Sequence, residues 1–196
     1  LTFFIEFLGA LFLAPSFCQK VGFLRGIYFA VFHSVSSFCN AGFDLFGNSL
    51  MDFVGDPIVN VTVMLLIIAG GLGFTTWADI RLNRRNFRAY SLQSKIALTM
   101  TAVLILVPAL FFFFFELDPG VSTGEHFLIS LFQSVTTRTA GYNTIDIKDF
   151  SETGRAALIV LMLIGGSPGS TAGGIKTTTA FTLFAIMIAT FRLKEE

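Results

Sequence analysis

Two glycine-centred stretches have the composition to hold a bare cation. One is Ser134-Val-Thr-Thr-Arg-Thr-Ala-Gly-Tyr-Asn-Thr144. The other, about a hundred residues earlier, is His33-Ser-Val-Ser-Ser-Phe-Cys-Asn-Ala-Gly-Phe43. Ala41-Gly42-Phe43 matches Ala140-Gly141-Tyr142, and Phe32-His-Ser-Val-Ser36 matches Phe132-Gln-Ser-Val-Thr136, with a one-residue slip between the blocks. A dehydrated monovalent cation needs oxygens in place of its water shell. Backbone carbonyls supply them where a strand is extended and a residue without Cβ lets them point inward. The expected ion-facing residues are Cys39, Asn40, Ala41 and Gly42 in the first copy and Thr139, Ala140 and Gly141 in the second. A re-entrant turn with a packing glycine is the plainer alternative, and two aligned copies argue against it.

A third stretch, Gly165-Gly166-Ser167-Pro168-Gly169-Ser170-Thr171-Ala172-Gly173-Gly174, precedes Ile175 and Lys176. It interrupts the mostly apolar segment Ala156–Thr190, which as one helix would run roughly 50 Å at ~1.5 Å per residue, against a ~30 Å hydrocarbon core. Glycine costs ~1 kcal/mol and proline ~3 in a helix interior, so the span breaks at mid-membrane. Gly169, Gly174 and Lys176-Thr177 approach the phosphate-binding G-x-x-x-x-G-K-[ST] pattern, but Ile175 stands where the lysine must be and no strand precedes it. Two readings stand: a passive break, or a movable plug whose freed backbone groups trade partners with water, helped by Thr177, Thr178 and Thr179. Lys176 either repels cations in the inner cavity or snorkels out. Arg138 is read as a structural brace bonding helix-end carbonyls or an acid behind the filter, the alternative being an ion barrier facing the pore.

The positioning elements follow from these segments. In each copy an apolar run too short to cross a bilayer, within Gly26–Ser37 and around Phe127–Phe132, leads into the special strand, Phe38–Phe43 in the first. Irregular backbone at such depth is tolerated only inside protein or along a watery cavity, which suggests a pore loop. Phe3–Ala14 reads as the end of a truncated transmembrane helix stopped at Pro15. Pro57 suits a first helical turn, and Ile58–Ala78 reads as one full span. Its Gly70-Gly71-Leu-Gly73 segment favours close helix packing over a bend. Asp79–Lys95 carries Arg81, Arg84, Arg85, Arg88 and Lys95 against one acid and is expected in the cytoplasm. Ile96–Phe115 returns outward, with a kink available at Pro108 and a lipid-facing end in Phe111–Phe115. Glu116, Asp118 and Glu125 then suit the outside, and the tail with Arg192 and Lys194 the inside. The result is helix, pore loop, helix, twice: Phe3–Ala78 and Ile96–Thr190.

Charged residues make up 13% of the chain, about half the ~25% usual in soluble domains. Net charge is zero, so nothing favours nucleic acid. Cys18 and Cys39 read as reduced thiols, and His33 and His126 have no ligand partners in motif spacing. The opening residues lack the basic segment of a signal peptide. They also lack methionine, and a fragment of a longer protein is expected.

Cys39-Asn-Ala-Gly-Phe, Thr137-Arg-Thr-Ala-Gly-Tyr-Asn-Thr144 and the glycine-rich run through Lys176-Thr177 resemble the Trk/Ktr/HKT superfamily of cation transporters. The likeness is strongest to the membrane subunit of bacterial Ktr potassium uptake systems. The resemblance implies an all-α integral membrane fold of helix–pore-loop–helix units with a broken final helix. It implies the second of four repeats in residues 1–78 and the third in 96–192, on either side of the cytoplasmic loop 79–95. Gly42 and Gly141 would be filter glycines, and 165–174 with Lys176 an intramembrane gate. Also implied are a multi-pass inner-membrane protein, potassium as transported ion with sodium as an activator, no bound cofactor, a homodimer, and a cytosolic nucleotide-binding regulatory subunit.

A non-conducting membrane scaffold is the competing reading, although it has no need of polar strands at membrane depth. A sodium-permeable transporter of the same superfamily is another. An enzyme would need an acid/base set within the spans, where Glu6 is the only acid well inside and reads better as a cavity or interface residue.

Overall fold

The computed structural model describes residues 2–84, 86–116 and 120–193, so Arg85, Asp118 and Lys194 lie outside the described residues. The described chain is all helix and loop: α1 Thr2–Val21, α2 Phe23–Phe38, α3 Pro57–Gly71, α4 Phe74–Asn83, α5 Leu92–Phe115, α6 Thr123–Thr136, α7 Glu152–Leu163 and α8 Thr177–Leu193. Its sole β pairing among those residues is an isolated bridge between Ile164 and Ile175.

The first helix does not stop at Pro15. It runs on to Val21, and at 20 residues α1 is long and apolar enough to cross a membrane. Proline removes one helical hydrogen bond. Packing outweighs that loss here, because Leu13 and Phe17 on the inner side of α1 are fully buried. A tight turn at Gly22 sends the chain back as α2, whose Ser34 hydroxyl donates to the Glu6 carbonyl of α1 at 2.6 Å. Glu6 is itself buried. In the second copy, Ser134 of α6 donates to the Ile105 carbonyl of α5, also at 2.6 Å. Each short helix is thus hooked by an equivalent serine to the long helix before it.

Asp56 caps α3, accepting from the amides of Ile58 and Val59, with Pro57 as the first helical residue. The expected straight span Ile58–Ala78 is not formed. Helix α3 ends at Gly71, and α4 leaves it at 94°. Gly73 makes the corner with φ +83, a conformation L side chains resist. The carbonyls of Gly70 and Gly71, freed at the helix end, accept from the amides of Thr171 and Ser167. These glycines therefore serve a bend, and a segment far along the chain completes it.

Helix α5 continues through Pro108. Its phenylalanine run is divided: Phe114 and Phe115 are exposed, whereas Phe112 is buried and meets the Phe150 ring edge-on at 5.6 Å. The main core joins Leu13, Phe17, Phe29, Val63, Ile67, Phe132 and Tyr142 from both halves of the chain. Outside it, Phe3, Phe7 and Leu11 on α1 and Leu183, Phe184 and Met187 on α8 are exposed, as suits lipid or further protein.

Candidate functional site: two filter-like strands and the loop beneath them

The two short helices end differently and then converge. Helix α2 runs to Phe38, two residues beyond Ser36, whereas α6 stops at Thr136, the residue equivalent to Ser36. This longer helix end absorbs the extra residue of the first copy. From there the strands match position by position. Asn40 (φ +51) and Thr139 (φ +64) are both left-handed, as are Gly42 (φ +68) and Gly141 (φ +83). Left-handed backbone at non-glycine positions is strained and clusters at functional sites. Matching hydroxyls hold it: Ser36 donates to the Phe43 carbonyl at 3.0 Å and Thr136 to the Tyr142 carbonyl at 2.6 Å.

The strands lie side by side. A Cβ on Gly42 would come within 2.1 Å of the Ala140 carbonyl oxygen, so no side chain fits there without moving a strand. A Cβ on Gly141 would meet nothing within 4 Å. Asn40 Nδ2 donates to the Arg138 carbonyl at 3.2 Å, and the Tyr142 hydroxyl to the Phe43 carbonyl at 2.9 Å. Above them, the Asp44 carboxylate gathers the amides of Phe46, Gly47 and Ser49. His33, fully buried, bonds the Phe29 carbonyl through Nδ1 at 2.8 Å, which leaves Nε2 to accept from the Leu45 amide. Sequence reasoning missed Asp44, His33 and the Ser36/Thr136 pair. Of these, only Ser36/Thr136 carried a signal, an equivalent hydroxyl in both copies.

The glycine-rich segment is a closed loop. The Gly165 amide donates to the Ile175 carbonyl and the Ile175 amide to the Leu163 carbonyl, both at 3.0 Å, so the loop leaves and returns at one point. Its far side meets both strands. Thr171 places its hydroxyl 2.9 Å from the Phe38 carbonyl and 2.9 Å from Asn40 Oδ1, one proton shared between two acceptors. The Gly173 amide donates to Thr139 Oγ1 at 3.0 Å. The loop therefore reaches the first left-handed residue of each strand. On its other flank, the Phe74 amide of α4 donates to the Gly169 carbonyl at 3.0 Å. Thr177 packs inside, with its amide on the Gly166 carbonyl. Lys176 donates to the Ala172 carbonyl at 2.6 Å, tied to its own loop.

Arg138 departs from expectation. Its backbone joins the network, but Nε, Nη1 and Nη2 are buried without a hydrogen-bond partner among the described residues. Among the described residues the guanidinium makes no bond to helix-end carbonyls or to an acid. The group stands enclosed behind the strand near Gly71, where a buried charge is costly to leave unpaired. No cluster of three His, Cys, Asp or Glu occurs among the described residues. The oxygens gathered at the strands are carbonyls and hydroxyls, the donor chemistry of a filter.

The TrkH family, described as cation transport protein, matches residues 1–196. The potassium/sodium uptake protein NtpJ of Enterococcus hirae is 44% identical over 97% of this chain and 43% of its own length. Ktr system potassium uptake protein B of Bacillus subtilis is 40% identical over 98% of this chain and 44% of its own. The chain thus spans less than half the length of these curated relatives. The crystal structure of the potassium transporter TrkH from Vibrio parahaemolyticus superposes with a TM-score of 0.71 at 23% identity, over 93% of this chain and 39% of that one. That likeness establishes a shared fold. Matched from first residue to last, the chain belongs to the TrkH family of cation transport proteins.

Proposed function

We propose that the intact protein takes up potassium across the plasma membrane. The ion sheds its water on strands of the Asn40–Gly42 and Thr139–Gly141 kind, and the 165–174 loop closes the pore from beneath. The observation that carries this reading is the matched pair of strands, left-handed at the same positions and both contacted by one loop. In this reading residues 1–78 and 96–192 are two of four repeats around one axis, and parts of the intact protein outside these residues supply the others. The working unit is a homodimer in the lipid bilayer with a cytosolic nucleotide-binding regulatory subunit. The chain is no enzyme and needs no bound cofactor; sodium enters as an activator. Expressed from its full-length parent in cells lacking potassium uptake, the protein should restore growth at low potassium and a potassium influx. Protein present in the membrane without that influx would overturn the reading. The name of the Enterococcus relative favours a second reading, a carrier that also admits sodium, and comparable sodium influx in the same cells would select it.

Orientation follows from charge. The Asp79–Lys95 loop belongs in the cytoplasm and Leu45–Asp56 and Glu116–Gly124 outside, because short loops rich in Lys and Arg stay inside. With Asn83→Cys as the one thiol left in the protein, intact cells should show no labelling by a membrane-impermeant thiol reagent, and opened cells should show it. Strong labelling of intact cells would reverse the orientation and put the filter mouth on the wrong side.

A further inference from the structure

Helix α4 and its turn into α5 form a basic platform whose shape is fixed without use of its arginines. The 15 residues of α3 rise only ~22 Å at ~1.5 Å per residue, short of the ~30 Å hydrocarbon core. Helix α4 then turns away at 94°. With α3 upright and Pro57 at the outer edge of that core, the remaining ~8 Å would place α4 at the depth where interfacial helices lie, ~5–10 Å into the boundary between headgroups and acyl chains. Trp77 Nε1 donates to the Ala69 carbonyl at 2.9 Å and pins the corner. The one acid, Asp79, accepts from the amide and hydroxyl of Ser91, and Lys95 donates to the Arg88 carbonyl at 2.9 Å.

The side chains of Arg81, Arg84 and Arg88 are exposed and have no ion-pair partner among the described residues. Among them stand Leu82, Phe87 and Leu92, apolar and exposed. Unopposed positive charge interleaved with exposed apolar side chains, at the depth of the headgroups, matches one partner in both respects. That partner is an anionic phospholipid, with phosphate on the guanidiniums and acyl chains along Leu82 and Phe87.

The root of the platform touches the glycine loop. The Phe74 amide donates to the Gly169 carbonyl, and a Cβ at Gly73 would lie 2.5 Å from the Pro168 carbonyl oxygen. We propose that anionic phospholipid binds this platform and, by fixing α4, sets how readily the loop undocks. The second half of the proposal rests on the reading of that loop as a gate. It predicts transport that depends on the charge of the inner leaflet.

The test uses the full-length transporter in phosphatidylcholine vesicles with and without phosphatidylglycerol. Two quantities are measured: phosphatidylglycerol retained through purification, by mass spectrometry of the intact protein, and potassium flux. The triple variant Arg81→Gln, Arg84→Gln, Arg88→Gln should retain roughly a hundredfold less phosphatidylglycerol, at about 1 kcal/mol per arginine. Its flux should no longer respond to phosphatidylglycerol. Arg→Lys at the same three positions should restore both, which separates charge from folding. Lys148→Gln, an exposed charge outside the platform, should change neither. Equal retention and an unchanged response in the Gln variant would overturn the proposal. So would loss of regulatory-subunit binding with lipid retention intact, which would make the platform a protein-docking surface. Retention requires no transport, so a transporter that keeps its lipid and moves no ion would sink the functional reading and leave the lipid site standing.

Discussion

Gly42→Ser in the full-length protein should reduce the preference for potassium over sodium by at least about tenfold, and by more than Gly141→Ser does. Two effects act at Gly42. Its φ of +68 costs a side chain about 1–2 kcal/mol, the penalty of left-handed backbone for an L residue. The new Cβ would also sit 2.1 Å from the Ala140 carbonyl oxygen, so one strand must shift. At Gly141 only the backbone penalty applies, because the space around it is open within this chain. Each 1.4 kcal/mol lost selectively for potassium is about tenfold in preference. Flux ratios in vesicles, measured with both ions for both variants, check this. Unchanged preference in both would show that the strands do not contact the ion.

On the proposed function, removing the contacts between the 165–174 loop and the two strands should open the transporter. Deleting residues 168–173 takes away the Thr171 and Gly173 contacts together, while α7 and α8 still hold the subunit in the membrane. Potassium flux should rise and lose most of its dependence on the regulatory subunit. Thr171→Val is the milder form: the hydroxyl shared by the Phe38 carbonyl and Asn40 Oδ1 disappears and both acceptors stay behind. Leaving buried polar groups unpaired costs about 1–3 kcal/mol, enough to raise the undocked population roughly five- to a hundredfold. Flux through full-length protein, with and without the regulator, is the measurement. A deletion variant that inserts normally yet conducts less, or stays fully regulator-dependent, would make the loop a structural break.

Much of this arrangement is legible in the sequence because it is periodic or compositional. The Ala-Gly-aromatic repeat locates both strands, and their common backbone follows from the same residues recurring in the same order. Glycines and a proline within an apolar segment announce the broken span without tertiary information. What the sequence hides depends on partners distant along the chain. Proline usually ends a helix, but α1 passes Pro15 because Leu13 and Phe17 are held by core contacts no local rule contains. Gly70-Gly71-Leu-Gly73 reads as a close-packing segment until Ser167 and Thr171 supply amides to the freed carbonyls of a bend. Arg138 shows the limit of pairing arguments, since its guanidinium finds neither the carbonyls nor the acid that its burial demands among the described residues.

The bond from Lys176 to the Ala172 carbonyl has an electrical consequence. A lysine free in the cavity would respond to the membrane voltage alone and leave the backbone where it was. Tied to the loop, the charge moves whenever the loop moves, and any displacement along the membrane normal carries it through part of the transmembrane field. One elementary charge crossing the whole field is worth about 2.3 kcal/mol per 100 mV, so a fifth of the way is about 0.5 kcal/mol. On the proposed reading of this loop as a gate, it would lean open or shut with the energisation of the cell, and Lys176→Gln would leave the hinge intact while disconnecting it from the voltage.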